Sequence, residues 1–261
     1  DYPFLQADAL VIRVRENGKV VKKVIQLAIG VSEAGYREVL GLRVARQESD
    51  VSWTEFFTWL NRRGLSGVDY VTSDDHEGLK LALGKTLPHA EWQRCQTHFS
   101  RNLLDKLHKK DRQQVHAMLK YMYDAPTKEK ALEAAEEIMD FLEERYPEAM
   151  ELLDNAKDDL LAVYGLPAHC RKKMRTTNMT ERTNEEIRRR ERVIRIFPND
   201  ASARMLVGAY LQELSEEWIS GRRYMEMAEI LEAKAEQERK EKASVKQPVN
   251  MSQPEAVAVN L

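Results

Sequence analysis

The sequence has 261 residues, of which 43% are apolar, and a formal net charge of −2. This is enough for one large hydrophobic core or two modest ones, and no window approaches the ~18 uninterrupted apolar residues of a membrane span. Two cysteines, with no charged-then-apolar leader, argue against a secreted disulfide scaffold and fit a reducing cytoplasm. The sequence starts at Asp1 and enters an apolar pattern almost at once, so we expect a piece of a longer protein.

The first part of the chain has the patterns of an antiparallel meander. Three strands are predicted, over residues 5–15, 19–29 and 36–46. In the first strand polar and apolar residues alternate, and Asp8 is the one acidic member of the apolar face. The dipeptide Asn17-Gly18 between the first two strands is a strong hairpin signal.

Ser49-Asp50 is a helix-start signal, and the apolar residues after it recur at helical spacing. A short strand is predicted next at residues 68–72, followed by an acidic loop at 73–76 and another helix. Polar groups at the carboxyl end of a parallel strand are where α/β folds build sites, which makes Asp74 a candidate carboxylate. Two alternatives stay open: Ser73, Asp74 and Asp75 only cap the following helix, or Asp75 replaces Asp74.

A last short strand is predicted at residues 91–94, followed by a long helical tract that Pro126 and Pro147 divide. The apolar stripe of this tract is typical of a helical bundle with its own core. We therefore predict an all-helical insertion into the α/β domain, without chemistry of its own.

The stretch from Arg175 to Asn199 combines a helix start with a dense run of arginines. Asn178 stands three residues before Glu181, which resembles a capping box and puts Glu181 in the first turn. Residues 171–195 contain ten Lys/Arg and four Glu, a local charge of +6, which is a candidate polyanion contact. The alternative is that Glu181 only caps the helix and the arginines form a solvated face paired with nearby glutamates.

Two further helices are predicted over residues 200–218 and 222–240, and the composition then turns to Ser, Gln, Pro and Asn. The predicted organisation has four parts. They are the first part of an α/β core (1–98), a helical insertion (99–170), the basic helix with the C-terminal helices (171–240) and a disordered tail (241–261).

The order of these elements, with Asp8 in the first strand, Asp74 after the fourth and Glu181 on a late helix, resembles the RNase H-like nuclease fold. The expected fold class is α/β, with a mixed sheet and a large all-helical insertion before the last catalytic helix. In that topology the first and fourth strands are neighbours. The resemblance therefore implies that Asp8 and Asp74 lie together at the carboxyl edge of the sheet, with Glu181 across them.

Four segments resemble the Mutator-type transposases of prokaryotic insertion sequences, over about residues 1–227. The segments are LQADALVIRVRENG around Asp8, VTSDDHEGL around Asp74, WQRCQTHFSRNLL around Cys95 and His98, and RTTNMTERTNEEIRRRERVIRIFPN around Glu181. Members of this family usually carry an upstream DNA-binding region that recognises the terminal inverted repeats. Thr180 and Thr183 stand where the family commonly has apolar residues, and we interpret both as surface changes.

The resemblance implies that Asp8, Asp74 and Glu181 form a catalytic triad that binds two Mg²⁺ or Mn²⁺ ions. Three converging carboxylates repel one another unless a cation lies between them, and their hard oxygens suit these ions. Two such ions can activate the attacking oxygen and stabilise the leaving one in phosphoryl transfer. The implied reaction is DNA strand cleavage by water, followed by attack of the freed 3′-hydroxyl on target DNA.

DNA, both as transposon ends and as target, is the expected partner, with a homo-oligomer in the synaptic complex, association with the nucleoid and no membrane. The candidate DNA contacts are Arg175, Arg182, Arg188, Arg189, Arg190, Arg192 and His98. Contacts between arginines and phosphates would make the affinity salt-sensitive and largely independent of sequence.

Three alternatives remain at this level. Cys95 and His98 have half the spacing of a zinc site, to which His169-Cys170 would add the other half. A different RNase H-like DNA nuclease would share the triad and hydrolyse DNA without joining it. A non-catalytic DNA-binding remnant of a transposase would bind DNA only.

Overall fold

The computed structural model describes residues 1–245, without the side chains of residues 237, 238 and 240–245. Two compact units divide the chain, Asp1–Glu226 and Met227–Leu261. The predicted tail at 241–261 lies outside the described residues from position 246 onward. No helix in the described part of the chain is both long and apolar enough to span a bilayer.

A five-stranded sheet with the order β3-β2-β1-β4-β5 forms the centre of the first unit. Its strands are β1 (Phe4–Glu16), β2 (Lys19–Val31), β3 (Arg37–Ala45), β4 (Tyr70–Ser73) and β5 (Glu91–Arg94). The β1–β2 and β2–β3 pairs are antiparallel, whereas β1–β4 and β4–β5 are parallel. This confirms the meander, the mixed sheet and the predicted adjacency of the first and fourth strands.

The hairpin between β1 and β2 turns at the two residues that the sequence indicated. Asn17 and Gly18 both have positive φ, 50° and 78°, which is what a two-residue turn with the twist of the flanking strands requires. Along β1 the predicted alternation is observed, since Leu10, Ile12 and Val14 are buried. Asp8 lies on this same face but is only partly buried.

Two helices cover one face of the sheet: α1 (Asp50–Arg62) and α2 (Glu77–Thr86). Ser49 caps α1 as predicted, through a reciprocal capping box with Ser52. The apolar stripe of α1 is buried and packs with residues of β1, β2 and β4 in one core. This layer fixes α2, and so the loop between β4 and α2.

Helices alone fill the chain between β5 and residue 174. They are α3 (Gln96–Asp105), α4 (Lys109–Tyr123), α5 (Lys128–Glu143), α6 (Pro147–Asp154), α7 (Lys157–Leu161), a 3₁₀ turn (Ala162–Gly165) and α8 (Ala168–Met174). Pro126 separates α4 from α5, and Pro147 is the first residue of α6, as expected for residues that interrupt helices. Their apolar residues form a second core between Phe99 and Leu161.

The last helices are α9 (Asn178–Ile194), α10 (Asp200–Ser220) and α11 (Ala228–Val245). The prediction that the final helix begins at Arg222 is wrong, because residues 222–227 are not helical. The backbone N–H groups of Tyr224 and Met225 instead donate to the Gly35 carbonyl, at 2.8 and 3.1 Å. A tertiary contact of the backbone therefore overrides the local helical pattern.

Candidate active site

The three predicted carboxylates come from β1, from the loop after β4 and from the first turn of α9. Gln6 pairs with Thr72 in the parallel ladder between β1 and β4. Asp8 and Asp74 each follow these paired residues by two positions, so they lie on the same side at the carboxyl ends of adjacent strands. Glu181 lies in the first turn of α9, which packs against β1 and β2.

Electrostatics connects the three groups. Burial, and then the negative charges of Asp74 and Glu181, raise the pKa of Asp8 to about 7, against the opposing effects of the Ala9 N–H and His98. Asp8 accepts hydrogen bonds from Ala9 N–H at 2.8 Å and from Asn184 Nδ2 at 2.9 Å. The carboxylates are thus near enough to repel, which is the condition under which a bound cation is favoured.

Two buried polar side chains of the sheet hold α9 in place. Gln6 Nε2 donates to the Thr176 carbonyl at 2.8 Å, and Gln6 Oε1 accepts from Met179 N–H at 3.2 Å. Thr72 Oγ1 donates to the Met174 carbonyl at 2.6 Å. The sequence interpretation missed Gln6 and Thr72, although a polar residue inside an apolar strand is a signal of this kind.

The predicted capping box between Asn178 and Glu181 is wrong. The N-cap of α9 is Thr177, with no capping bond from its side chain. The N–H and the Oγ1 of Thr177 both lie against the sulfur of Cys95, at 3.4 and 3.3 Å. Because α9 begins one residue earlier than predicted, Glu181 lies one position beyond the residue that closes a capping box, and its carboxylate faces His98.

Glu181 and His98 form an ion pair, with 3.3 Å between Oε1 and Nε2. Hydrogen bonding to Cys95 raises the pKa of His98 to about 9, and the charges of Cys95, Glu181 and Asp8 act in the same direction against burial. Burial raises the pKa of the Cys95 thiol, but the bonds to His98 and Thr177 outweigh it and the net shift is downward. His98 is thus held as a cation beside Glu181.

Within the described part of the chain, one group of possible metal ligands has all its ligand atoms within 4.8 Å of one another: Cys95, His98 and Glu181. Asp8 and Asp74 are not in this tight group, and Glu181 contacts His98. The second half of the postulated zinc site is not there either. His169 lies near the Glu226 carbonyl, at 3.1 Å, and Cys170 is buried.

Asp75 is occupied elsewhere. Its carboxylate makes ion pairs with Lys80 at 2.5 Å and with Arg94 at 2.9 Å. The alternative that Ser73, Asp74 and Asp75 only cap α2 is wrong as well, since His76 is the N-cap and its Nδ1 accepts from Leu79 N–H at 3.3 Å.

The buried face of α9 also differs from the expectation. Thr180 and Thr183, interpreted as surface changes, are both buried. Their hydroxyls donate to the carbonyls of Thr177 and Met179 in the preceding turn, each at 2.9 Å. A buried threonine satisfied by its own helix can therefore replace an apolar residue.

The candidate DNA contacts occupy different environments. Four of them are exposed on α9: Arg182, Arg188, Arg189 and Arg192. Of these only Arg189 makes an ion pair among the described residues, with Glu186 at 3.0 Å. The alternative of a solvated face whose arginines pair with glutamates therefore holds for one of the four. The Arg190 guanidinium lies 4.0 Å from the Tyr210 ring centroid. Arg175 binds Asp124 and the Tyr123 carbonyl, at 2.8 and 2.7 Å.

Fold and site together define a class: a mixed α/β protein in which two carboxylates lie at the carboxyl ends of neighbouring parallel strands, and a third lies on an arginine-rich helix packed against the sheet. The model of the family described as "Transposase, Mutator family" matches residues 1–221. The chain therefore belongs to the Mutator family of transposases.

Individual transposases are also similar to this chain in sequence. The chain is 44% identical over 234 residues to the transposase for insertion sequence element IS1081 of Mycobacterium tuberculosis, covering 90% of this chain and 56% of that protein. It is 39% identical over 228 residues to the transposase for IS256 in transposon Tn4001 of Staphylococcus aureus, covering 86% and 58%. A transposase for ISRM5 of Rhizobium meliloti is 38% identical over 233 residues, covering 89% and 58%. The chain thus spans somewhat more than half the length of these relatives.

Proposed function

We propose that this chain is the catalytic region of an insertion-sequence transposase that cleaves a DNA strand and joins its 3′ end to target DNA. The observation that supports the proposal is that Asp8 and Asp74, far apart in sequence, lie at the carboxyl ends of neighbouring parallel strands, close enough to Glu181 for its charge to raise the pKa of Asp8. Within this proposal the sheet is RNase H-like, and the helices from α3 to α8 are an insertion between the second and third carboxylates.

The donor set fits divalent cations. Asp8, Asp74 and Glu181 offer hard oxygen ligands. Burial, followed by the charges of Asp74 and Glu181, raises the pKa of Asp8, and a cation bound there would favour its ionised form. We propose that these three residues hold Mg²⁺ or Mn²⁺, as two ions. When bound, such ions lower the pKa of an attacking hydroxyl and stabilise the charge on the leaving oxygen.

Other residues of the chain position this cluster. Asn184 directs one oxygen of Asp8 through its 2.9 Å hydrogen bond. His98, itself held by Cys95 and Thr177, directs the Glu181 carboxylate. We therefore regard His98 as a positioning residue for Glu181, and its role as a DNA contact stays a prediction.

The partner of the proposed reaction is DNA, as transposon end and as target. The exposed arginines of α9 lie one after another along the helix beyond Glu181, which suits them to neutralise phosphates of a bound strand. Arg190 and Arg175 already have protein partners, and their DNA contacts stay predictions, as do the homo-oligomer in the synaptic complex and association with the nucleoid.

The deciding experiment is joining of a pre-cleaved DNA end into a supercoiled plasmid in the presence of Mg²⁺. We expect joining by the parent protein and none by Asp8→Asn, Asp74→Asn or Glu181→Gln, with DNA affinity close to the parent, because only the metal ligands are lost. Two matched controls carry the same chemical change at neighbouring positions: Asp75→Asn beside Asp74, and Glu185→Gln on the exposed side of α9. Both should join DNA.

Each other outcome has a definite meaning. Joining by Asp74→Asn together with inactive Asp75→Asn would move the second carboxylate by one position. Hydrolysis without joining would identify a nuclease of the same fold. DNA binding without Mg²⁺-dependent chemistry in a folded parent protein would identify a non-catalytic remnant.

A further inference from the structure

A groove of about 430 Å³ separates the β1–β2 hairpin from the C-terminal half of α9. Two of its cations lie on the hairpin and three at the end of α9. They are Arg13, Lys22, Arg188, Arg192 and Arg195, with Glu191 as the acidic residue of the lining. The hairpin residues lie outside the basic stretch that the sequence indicated.

These five cations make no ion pair among the residues that the structure describes. Close neighbours behave differently. Lys23, next to Lys22, is bound by Glu16 and Asp200, both at 2.8 Å, and Arg189, next to Arg188, is paired with Glu186. The chain therefore has acidic partners in this region, and they neutralise the residues outside the groove.

The groove also concentrates local features that work against folding. Arg13 and Lys22 are direct partners in the antiparallel ladder, where like charges destabilise a hairpin. Arg188 and Arg192 are four residues apart on α9, where like charges are unfavourable too. Exceptions to local folding rules that gather in one place are characteristic of functional sites.

The third such feature is the end of α9. Arg195 has φ 63° and ψ −47°, and Ile196 N–H donates to the Ile194 carbonyl at 2.7 Å. This is a γ-turn of the rare, strained hand. It brings Phe197 into a bridge beside Val14 of β1, which fixes the end of α9, with its cations, against the hairpin.

We infer that this groove binds the phosphate backbone of duplex DNA, an inference that rests on the proposed function. Near the carboxylates α9 is tied to β1 by Asn184 and Asp8, and at its far end by Phe197 and Val14, so both elements run away from the site together. Arg13 is five residues from Asp8 along the strand, roughly 17 Å. At ~3.4 Å per base pair the groove takes phosphates about five base pairs from the reacting one.

Salt titrations of the affinity for unrelated duplexes test this without needing catalysis. For Arg13→Ala/Lys22→Ala we expect weaker binding, and a slope of log K against log salt that is shallower by up to about 1.8, since each phosphate contact contributes about 0.9. The matched control is Lys109→Ala/Lys110→Ala, two exposed cations at the start of α4, which should keep the parental slope. A charge-conserving exchange, Arg13→Lys/Lys22→Arg, should restore it.

Several results would overturn the inference. Equal slopes for the groove variant and the parent would do so, and would favour an acidic protein as the occupant. Equal weakening in the groove and control variants would show an effect of net charge alone. A lower unfolding temperature in the groove variant would contradict the claim that these cations work against folding, which predicts an equal or higher one.

DNA length provides a second measurement. With parent protein that joins DNA, joining should fall steeply when fewer than about five base pairs remain on one side of the reacting phosphate. The groove variant, Arg13→Ala/Lys22→Ala, should not show this fall. A parent protein whose joining does not depend on this length would contradict the distance of about five base pairs between the groove and the reacting phosphate. If the groove variant keeps the parental salt slope and the parent protein joins DNA, the groove does not bind DNA and the proposed function stands. If the salt slope of the groove variant is shallower and the parent protein does not join DNA, only the proposed reaction is rejected.

Discussion

The helical tract and the sheet edge bury opposite kinds of side chain. Between Phe99 and Leu161 the buried side chains are mostly apolar, with Ser100 and Asp111 as buried polar residues. The interface between the sheet and α9 instead buries Gln6, Thr72, Thr177, Thr180, Thr183 and Asn184. Burying polar groups is costly unless each finds a partner, and here most find one in the backbone of α8 or α9. The tract is thus held by packing, which tolerates displacement, and the site by directional bonds, which fix orientation.

The largest effect is expected in the apolar core. Ile138 is fully buried in α5, and Ile138→Ala should lower the free energy of unfolding by about 2–5 kcal/mol, through lost burial and the cavity left behind. Chemical denaturation measures it, with the exposed Glu137→Ala as the control. DNA joining per folded molecule should not change. A loss of joining beyond the loss of folded protein would mean that the tract also orients the site.

Gln6→Leu addresses the other region. It removes a side chain that binds two backbone carbonyls and the Met179 N–H, and leaving these groups unpaired should cost about 2–4 kcal/mol. Unlike Ile138→Ala it should also reduce joining in the protein that remains folded. Gln26→Leu is the matched control, because Gln26 donates one hydrogen bond, to Ser52 at 3.1 Å. Equal effects of the two variants would remove the distinction between the regions.

The raised pKa of Asp8 predicts a pH dependence in the metal-free protein. Its value rises from 3.8 to about 7 on folding, so the folded state keeps a proton that the unfolded chain has already lost. Stability should therefore fall as the pH rises from about 4 to about 7 and then level off. At pH 8 with a chelator, Asp8→Asn should be more stable than the parent by about 1–4 kcal/mol.

The control variant for this prediction should change stability in the opposite direction to Asp8→Asn. Asp75→Asn should be less stable than the parent at pH 8, because it loses ion pairs with Lys80 and Arg94. Mg²⁺ should raise the melting temperature of the parent and not that of Asp8→Asn. Parallel curves of stability against pH for the parent and Asp8→Asn, between pH 4 and pH 8, would contradict the raised pKa of Asp8.

The smallest effect concerns the γ-turn. Arg195→Gly should stabilise the protein by up to about 1 kcal/mol, since glycine adopts positive φ without steric cost. Its DNA affinity should fall slightly with the lost cation. Arg192→Gly, in regular helix, is the comparison and should destabilise by about 1 kcal/mol. A destabilised Arg195→Gly would show that the turn is unstrained.

Local patterns in the sequence were sufficient for most of the helices and strands. The alternation in β1, the Asn17-Gly18 turn and the Ser49 cap each depend on a few adjacent residues, whose backbone preferences act within that distance. They correctly predicted the strands and the helical tract, whereas the adjacency of β1 and β4 was implied by the resemblance to the RNase H-like fold and is confirmed by their parallel pairing. Asp8 and Asp74 followed because residues at the ends of adjacent parallel strands must meet.

Only the tertiary structure decided how Glu181 and the arginines are used. Asn178, the predicted cap of α9, is its first helical residue, and the hydroxyl of the N-cap Thr177 contacts Cys95. Thr180 and Thr183 were predicted to be exposed and are buried. Arg13 and Lys22 lie across a groove from the basic helix. Each of these outcomes depends on a partner far away in the sequence. A local pattern carries no information about which distant group will satisfy a polar side chain, because packing of the whole chain selects that partner.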